Sequence, residues 1–490
     1  MKKWVIWTGA AVAALVGTVA GRTATFKPDA VGDGSGITVA RAPAFDTQAA
    51  AQHLSQAVQI QTVSHQDPAE NQLVEWDKLH GWLASTYPKA HAAMQKEVLG
   101  KTLAYTWPGS DAGAQPIIVM AHQDVVPVTP GTEKDWKHAP FAGELAEGAV
   151  WGRGSVDDKG SLVALFEAID ALAGQGFKPK RTIILVAGHD EEAGGSGAAE
   201  VAKLLASRKV KALFTIDEGG LISTDTPMIN GPAAMIGIAE KGYATLRVTA
   251  NAPGGHSSAP PKPNEIGTVN LAKAVLAINA KQFPMELRGP AEGMVSVLAA
   301  KAGGASKMAV ANRWLLGGLV KSKMADSPAS AAMLHTTIAP TMLTGSPKEN
   351  VLPQSATALI NYRIAPWNSS KDVLERARLA TKALPVTVDF TERAPREPSP
   401  VSSTNSPGWN LIAATAKANM PGLAIAPYLV VAGTDSRSMA PVSDDVYRFQ
   451  AIGLATGDIK MIHGTNEHMT FANLESLIRF YARLIATAAG

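Results

Sequence analysis

The 490-residue chain contains no cysteine, which excludes disulfides, a thiol nucleophile and any thiolate-held metal. Aromatic residues make up only 6% and charged residues 18%, against 46% apolar. So little charge beside so much apolar surface describes a globular chain and excludes a disordered one. Net charge is small, +3, and no basic stripe interleaved with aromatics occurs, so nucleic acid is not an expected partner. Internal repeats are also lacking. The length exceeds what a single core supports, so two domains are expected.

Long apolar runs are scarce, and the one that stands out is N-terminal. Lys2-Lys3 precede an apolar stretch over residues 4–20, and the small residues Gly21, Thr23 and Ala24 follow. A charged start, an apolar run and a small-residue zone form the pattern of a secretory signal peptide. Residues 1–24 are therefore expected to be a cleaved signal peptide, with an uncleaved membrane anchor as the alternative. Either reading places the body outside the cytoplasm, secreted or periplasmic, and limits membrane contact to this segment. Residues 25–43, rich in Gly, Thr, Ala and Asp, read as a linker.

Helical periodicity covers 44–86 and 159–172. Short apolar runs over 115–121, 181–188 and 212–216 end at His122, His189 and Asp217. Buried runs alternating with helices predict an α/β fold, a mostly parallel sheet with helices on both faces and ligands at the carboxyl ends of its strands. After Lys241 the pattern changes. A strand is expected at 243–249, a helix at 265–280, strands at 336–343 and 356–365, a helix at 371–384 and a strand at 386–391. That order is the ferredoxin-like α+β arrangement. The expected organisation is a catalytic domain from 44–240 and 397–490 with a lid inserted at 241–396. The segment 290–332 is extra to a minimal lid. Its Trp314, Leu315, Leu316, Leu319 and Val320 are expected near the lid, where they either line the acyl side of a cleft or form a satellite core or a partner contact.

Acidic and imidazole side chains recur at the strand ends and in Gly-rich turns: His122, Asp124, Asp157, Glu191-Glu192, Asp217 and His463. Two imidazoles with carboxylates and no thiolate suit Zn, Mn or Co. A carboxylate left over beside a ligand can serve as base for an attacking water, so the set reads as a di-metal hydrolase. The other histidines (His53, His65, His80, His91, His138, His189, His335 and His468) carry no expected role.

Five motifs in order resemble the M20 metallopeptidases, a group that includes carboxypeptidase S, glutamate carboxypeptidase and aminoacylase-like enzymes. They are Ala121-His122-Gln123-Asp124, Gly152-Arg153-Gly154-Ser155-Val156-Asp157-Asp158-Lys159-Gly160, Asp190-Glu191-Glu192-Ala193-Gly194-Gly195-Ser196-Gly197, Ile216-Asp217-Glu218-Gly219-Gly220 and Ile462-His463-Gly464-Thr465-Asn466-Glu467. The resemblance spans residue 44 to the C-terminus. It implies two divalent metal ions, zinc first, with Mn and Co as alternatives. His122 and Asp217 would hold one ion, Glu192 and His463 the other, and Asp157 would bridge them, followed by a cis peptide to Asp158. Asp124 would orient the His122 ring, and Glu191 would be the general base. In the lid, His256 would donate to the developing oxyanion, and Asn350 and Arg363 would bind the substrate carboxylate. Gly433 and Ser436 would line the same pocket.

The segment 290–332 and Asp445-Val446-Tyr447-Arg448-Phe449 look like the carboxypeptidase S and N-acyl-amino-acid hydrolase branch. The implied substrate is a small peptide or N-acyl amino acid, cut at the amide beside a free carboxylate, and the implied assembly is a homodimer through the lid. Two readings compete. An M28-type aminopeptidase shares the ligand order but has no inserted lid. A catalytically inactive homologue would have lost a ligand or the base, and none is missing.

Overall fold

The computed structural model describes residues 2–28 and 31–490, with residues 2–6 and 9 described by their backbone alone. Ten strands form the main sheet. Its path runs Gln95–Leu99, Thr102–Trp107, Ile183–Gly188, Ile117–His122, Phe214–Asp217, Val446–Arg448, Gly231–Glu240, Ile222–Thr226 and Gly453–Leu454, and Ala424–Val430 pairs alongside Gly231–Glu240. The centre is parallel as expected: Ile117–His122 lies between Ile183–Gly188 and Phe214–Asp217, and Val446–Arg448 extends the same direction. The flanks are mixed: Gln95–Leu99, Thr102–Trp107 and Ile183–Gly188 pair antiparallel, as do Ile222–Thr226 and Gly231–Glu240, while Gly453–Leu454 and Ala424–Val430 pair parallel to their neighbours. For the first antiparallel pair the reason is connection length. Gln95–Leu99 and Thr102–Trp107 are joined by two residues, with Gly100 at φ 62°, and so short a turn permits only a hairpin.

The central strands are buried on both faces because helices cover both. Ile117, Val119 and Ala121 share one core with the helices Lys159–Gly174 and Phe471–Ala489, through Leu162, Phe166, Leu477 and Phe480. Ile118 and Met120 face the opposite way, onto Ala198, Val201 and Leu205 of the helix Ser196–Ser207. The alternation is the two-residue period of a strand. Each such aliphatic or aromatic side chain contributes roughly 1.5–3 kcal/mol on burial.

A second, four-stranded antiparallel sheet has the order Thr337–Thr344, Ser355–Ile364, Gly242–Asn251, Thr387–Phe390. Strict alternation of buried and half-buried residues along Gly242–Asn251 and Ser355–Ile364 leaves one face for the helices Gly267–Asn279 and Ser370–Thr381. These close a separate core around Leu246, Val248, Leu271, Ile360 and Val373. This is the ferredoxin-like unit that the element order predicts. Its edge strand Thr337–Thr344 is largely exposed.

Four further helices are α1 (Lys2–Thr25), α2 (Pro290–Ala302), α3 (Gly304–Ala311) and α4 (Arg313–Ala325). The segment that carries α2–α4 does not join the lid core, contrary to the sequence reading. Met294, Val295 and Leu298 pack instead on Ala233, Ala239, Ala426 and Leu429 of the main sheet. Alanines on those strands leave a shallow surface that a helix can approach closely, a preference that chain order conceals. Val320 enters this core and Leu316 is half-buried, while Trp314, Leu315 and Leu319 point outward. The expected acyl-lining role for these residues loses its structural basis. Among the described residues no helix is long and apolar enough to cross a membrane; Lys2 and Lys3, the charged start of the expected leader, have side chains outside the described set.

Candidate metal centre

His122 is the last residue of its strand and Asp217 the last residue of the neighbouring one, so both project from the same carboxyl edge of the sheet. The His122 Nδ1 lies 3.0 Å from the carbonyl oxygen of Asp124 and 3.3 Å from its carboxylate. A carbonyl can only accept, so Nδ1 carries a proton and Nε2 is the ring atom left to meet a metal or to hold a second proton. That Nε2 sits 3.0 Å from Oδ1 of Asp157. An imidazole nitrogen and a carboxylate oxygen this close share a positive charge, either a proton or a metal ion.

The other oxygen of Asp157 repeats the arrangement. Its Oδ2 is 3.1 Å from His463 Nε2, which is also 3.2 Å from the Glu192 carboxylate. Ligand atoms of His122, Asp157 and Glu192 lie within 4.8 Å of one another. The structure thus assembles His122, Asp157, Glu192 and His463, with the two Asp157 oxygens divided between the two imidazoles. Asp217 is buried within electrostatic reach of His122 but stands outside that tight group, its Oδ2 accepting the Ser436 backbone N–H at 2.9 Å. The peptide between Asp157 and Asp158 is cis, as the resemblance implies.

Three backbone clamps hold the ligands. Asp124 accepts the N–H groups of Glu191 and Glu192, one per oxygen, both at 3.1 Å, in addition to meeting His122. Glu467 accepts the N–H groups of Val156 at 2.9 Å and Asp157 at 3.0 Å. It also pairs at 2.7 Å with buried Arg153, which donates to the Gly464 carbonyl at 2.8 Å. The Asp157 turn and the His463 loop are thereby locked together although far apart in sequence. Asp158 accepts from the His122 N–H at 3.2 Å and from Gln450 at 2.8 Å.

Eight carboxyl groups crowd this region: Asp124, Asp157, Asp158, Glu191, Glu192, Asp217, Glu218 and Asp435. Burial pushes Glu191 well above its ordinary range; His122 pulls against the shift, and Asp435 and Glu192 add to it. Burial likewise raises Asp158, Glu192, Asp217, Glu218 and Asp435. His463 is pushed up to about 10 by its hydrogen bonds to Asp157 and Glu192. An acid-rich, water-poor patch that raises its acids and retains protons on its imidazoles is short of positive charge. Hard oxygen and imidazole donors without thiolate fit divalent zinc, manganese or cobalt.

The lid residues are differently disposed. His256 lies on a two-stranded ribbon, Gly255–His256 against Val351–Leu352. It is exposed, and its ring meets Ser258 Oγ at 2.7 Å; among the described residues no contact joins it to the metal ligands. Asn350 is on the same ribbon, its carbonyl accepting from Ser257 at 3.1 Å while its side-chain oxygen is buried without a partner. Arg363 stacks its guanidinium over Tyr243 at 5.0 Å, and Arg393 stacks on the same ring at 5.3 Å.

The sequence reading missed the group that Arg363 belongs to. Arg396 donates to the Gly194 carbonyl at 2.8 Å, in the loop that carries Glu191 and Glu192. Arg437 lies under Gly433, where a Cβ would stand 2.7 Å from its Nη1. Burial together with Arg437 and Arg393 depresses Arg396 to about 10; burial, and the neighbouring Arg437 and Arg393, also lower Arg363. Ser436 is buried, its hydroxyl 2.6 Å from that of Thr434, and serves the Asp217 clamp. The sequence signals for the guanidinium group are the run Glu392-Arg393-Ala394-Pro395-Arg396 at the return from the lid and the segment Gly433-Thr434-Asp435-Ser436-Arg437, which the resemblance places along the pocket. Asp435 of that segment is wedged between Gly188 and Gly195. At Gly195 (φ 69°) a Cβ would lie 2.3 Å from its Oδ1.

Comparison with known proteins agrees with this geometry. Residues 118–487 match peptidase family M20/M25/M40. The chain is 33% identical to probable carboxypeptidase S-like 2 of Dictyostelium discoideum, over 89% of this chain and 84% of that protein. It is 34% identical to the N-fatty-acyl-amino acid synthase/hydrolase of Homo sapiens, over 89% and 87%. Its fold matches that of an M20 family metallo-carboxypeptidase from Sulfolobus solfataricus with TM-score 0.63 at 16% identity, covering 91% of this chain and 99% of that one. The chain belongs to peptidase family M20/M25/M40.

Proposed function

We propose that this chain is a di-metal amidohydrolase, zinc-loaded, that cuts the amide beside a free amino-acid carboxylate in a small peptide or N-acyl amino acid. The observation that carries the reading is the division of the two Asp157 oxygens between His122 and His463, beside Glu192. In this reading His122 and Asp217 would hold one ion, Glu192 and His463 the other, and Asp157 would contribute to both. Divalent ions bound there would supply Lewis acidity toward the amide carbonyl and lower the pKa of the attacking water. Glu191, clamped through its backbone by Asp124, takes the proton of that water and returns it to the leaving amine.

Arg363, Arg393, Arg396 and Arg437 supply the guanidinium forks that a carboxylate needs. Among the described residues none of the four has a carboxylate within ion-pair distance. The ribbon that bears His256 and Asn350 reaches the cleft on closure of the 241–396 unit or from a second copy, His256 then donating to the oxyanion. Gly433 and Ser436 line the pocket beside the guanidiniums, Gly433 leaving room for Arg437. Residues 1–24 direct the chain out of the cytoplasm and, in the anchor alternative, stay attached as α1.

The test is a panel of dipeptides, N-acetyl and long-chain N-acyl amino acids, each paired with its amide-blocked counterpart. We expect hydrolysis of the free acids at least about tenfold above the blocked forms, since a single lost charged contact is worth about 1.5–3 kcal/mol. Equal rates would remove the carboxylate from the account, and cleavage from the free amino end would favour the aminopeptidase reading.

A further inference from the structure

We infer that α1 and the outer face of α4 together form a lipid-contacting surface that seats the molecule on an anionic phospholipid bilayer. The observations are independent of the reading of the metal centre. Every described side chain of α1 from Ala10 to Thr18 is exposed, including Val12, Leu15 and Val16, and Trp7 further out is 75% exposed. An apolar helix bare on all sides gains nothing from water and requires a cover.

That helix is tied to the body near its C-terminal end. Asn312 donates through Nδ2 to the Val19 carbonyl at 3.3 Å and to the Thr23 hydroxyl at 3.1 Å. Arg22 donates through Nε to the Ala311 carbonyl at 3.2 Å. Asn312 is also the residue between α3 and α4, so α1 and α4 leave from one junction. From there α4 turns Val320 and Met324 into the core and holds Trp314, Leu315 and Leu319 outward, 57%, 49% and 54% exposed. A helix between core and water ordinarily presents a polar outer face; α4 is apolar on both faces along this length.

The surrounding charge selects the cover. Residues 301–325 carry five basic residues (Lys301, Lys307, Arg313, Lys321 and Lys323) and no acidic one. Arg313 is paired with Glu292 at 2.6 Å and Lys323 with Asp326 at 3.2 Å, which leaves Lys301, Lys307 and Lys321 without an ion-pair partner among the described residues. Outward Trp and Leu in a segment whose only charges are basic suit the boundary between acyl chains and anionic headgroups. A second copy would bring the same positive charge against itself.

The absence of native cysteine makes the test direct. Leu319→Cys and, as a control on the lid helix, Leu379→Cys (65% exposed) are introduced singly into the full-length chain and spin-labelled. Collision with oxygen and with a neutral nickel chelate is measured in buffer, with phosphatidylcholine vesicles and with phosphatidylglycerol-rich vesicles. In the anionic vesicles the label at 319 should become at least severalfold less accessible to nickel and more accessible to oxygen, while the label at 379 stays as in buffer. Trp314→Ser with Leu315→Ser, both at exposed positions, should weaken sedimentation with these vesicles at least about tenfold. Sedimentation through α1 alone, with the label at 319 still open to nickel, would overturn the proposal. So would failure to sediment, equal behaviour in phosphatidylcholine, or spin–spin broadening at 319 without lipid, which would identify a second copy as the cover.

Discussion

The metal centre and the lid ribbon hold their polar side chains in opposite ways. At the centre, Asp124 grips the backbone of Glu191 and Glu192, Glu467 grips that of Val156 and Asp157, and Ser436 donates its N–H to Asp217. On the ribbon, His256 meets only a serine two residues away, and the Asn350 side-chain oxygen has no partner. The ligands are over-determined by backbone contacts from distant parts of the chain, whereas the ribbon waits for something to dock against. Pre-positioned groups act without reorganisation, while mobile ones can be brought up only when substrate is present. Variants in the two regions should therefore fail in different ways.

The largest effect is expected at Glu191. Glu191→Gln should lower kcat by about 10²- to 10⁴-fold, the worth of a positioned general base, while metal content stays at the wild-type level because the Asp124 clamp acts on backbone. Steady-state rates and metal analysis on one preparation check this, and lost metal would move Glu191 from base to ligand. On the ribbon, His256→Ala should lower kcat by about 10²- to 10³-fold with little change in KM. Its melting temperature should not move, since the side chain is exposed. A fall in stability with normal turnover per folded molecule would make His256 a structural residue and erase the contrast.

A paired substitution sharpens the comparison in stability. Glu467→Gln leaves Arg153 buried without its partner and should cost about 3–5 kcal/mol in denaturant unfolding, with metal affinity about 10- to 100-fold weaker. In the lid, Glu392→Gln removes the exposed pair with Arg247, 2.6 Å apart, and should leave the unfolding midpoint essentially unchanged, because solvent screens both groups. Equal losses from the two substitutions would show that the clamps are not what distinguishes the centre.

The residues that meet at the candidate centre were legible because each sits in a short motif, at the end of an apolar run or in a Gly-rich turn, where strand period and turn chemistry speak locally. The strand expected at 243–249 is observed at Gly242–Asn251, because alternation survives to the strand ends. Other features depend on which distant segments meet. Glu467 was visible as a motif residue, yet its grip on Val156, Asp157 and Arg153 exists only in three dimensions. Arg393 and Arg396 read as ordinary surface cations until the fold gathers them around Tyr243 and Gly194, beside Arg437 of the pocket segment. The segment 290–332 was placed with the lid because it lies inside the lid's stretch of chain, and only the alanines of the main sheet explain where it packs.

The central claim is that Asp157 holds two ions at once. Equilibrium dialysis of the chelator-stripped full-length chain against Zn²⁺, with metal counted per folded chain, tests it most directly when wild type and Asp157→Ala are run together. The account predicts two ions per wild-type chain and weakening of both in Asp157→Ala. A single ion in the wild type, or two ions bound undiminished without Asp157, would contradict it.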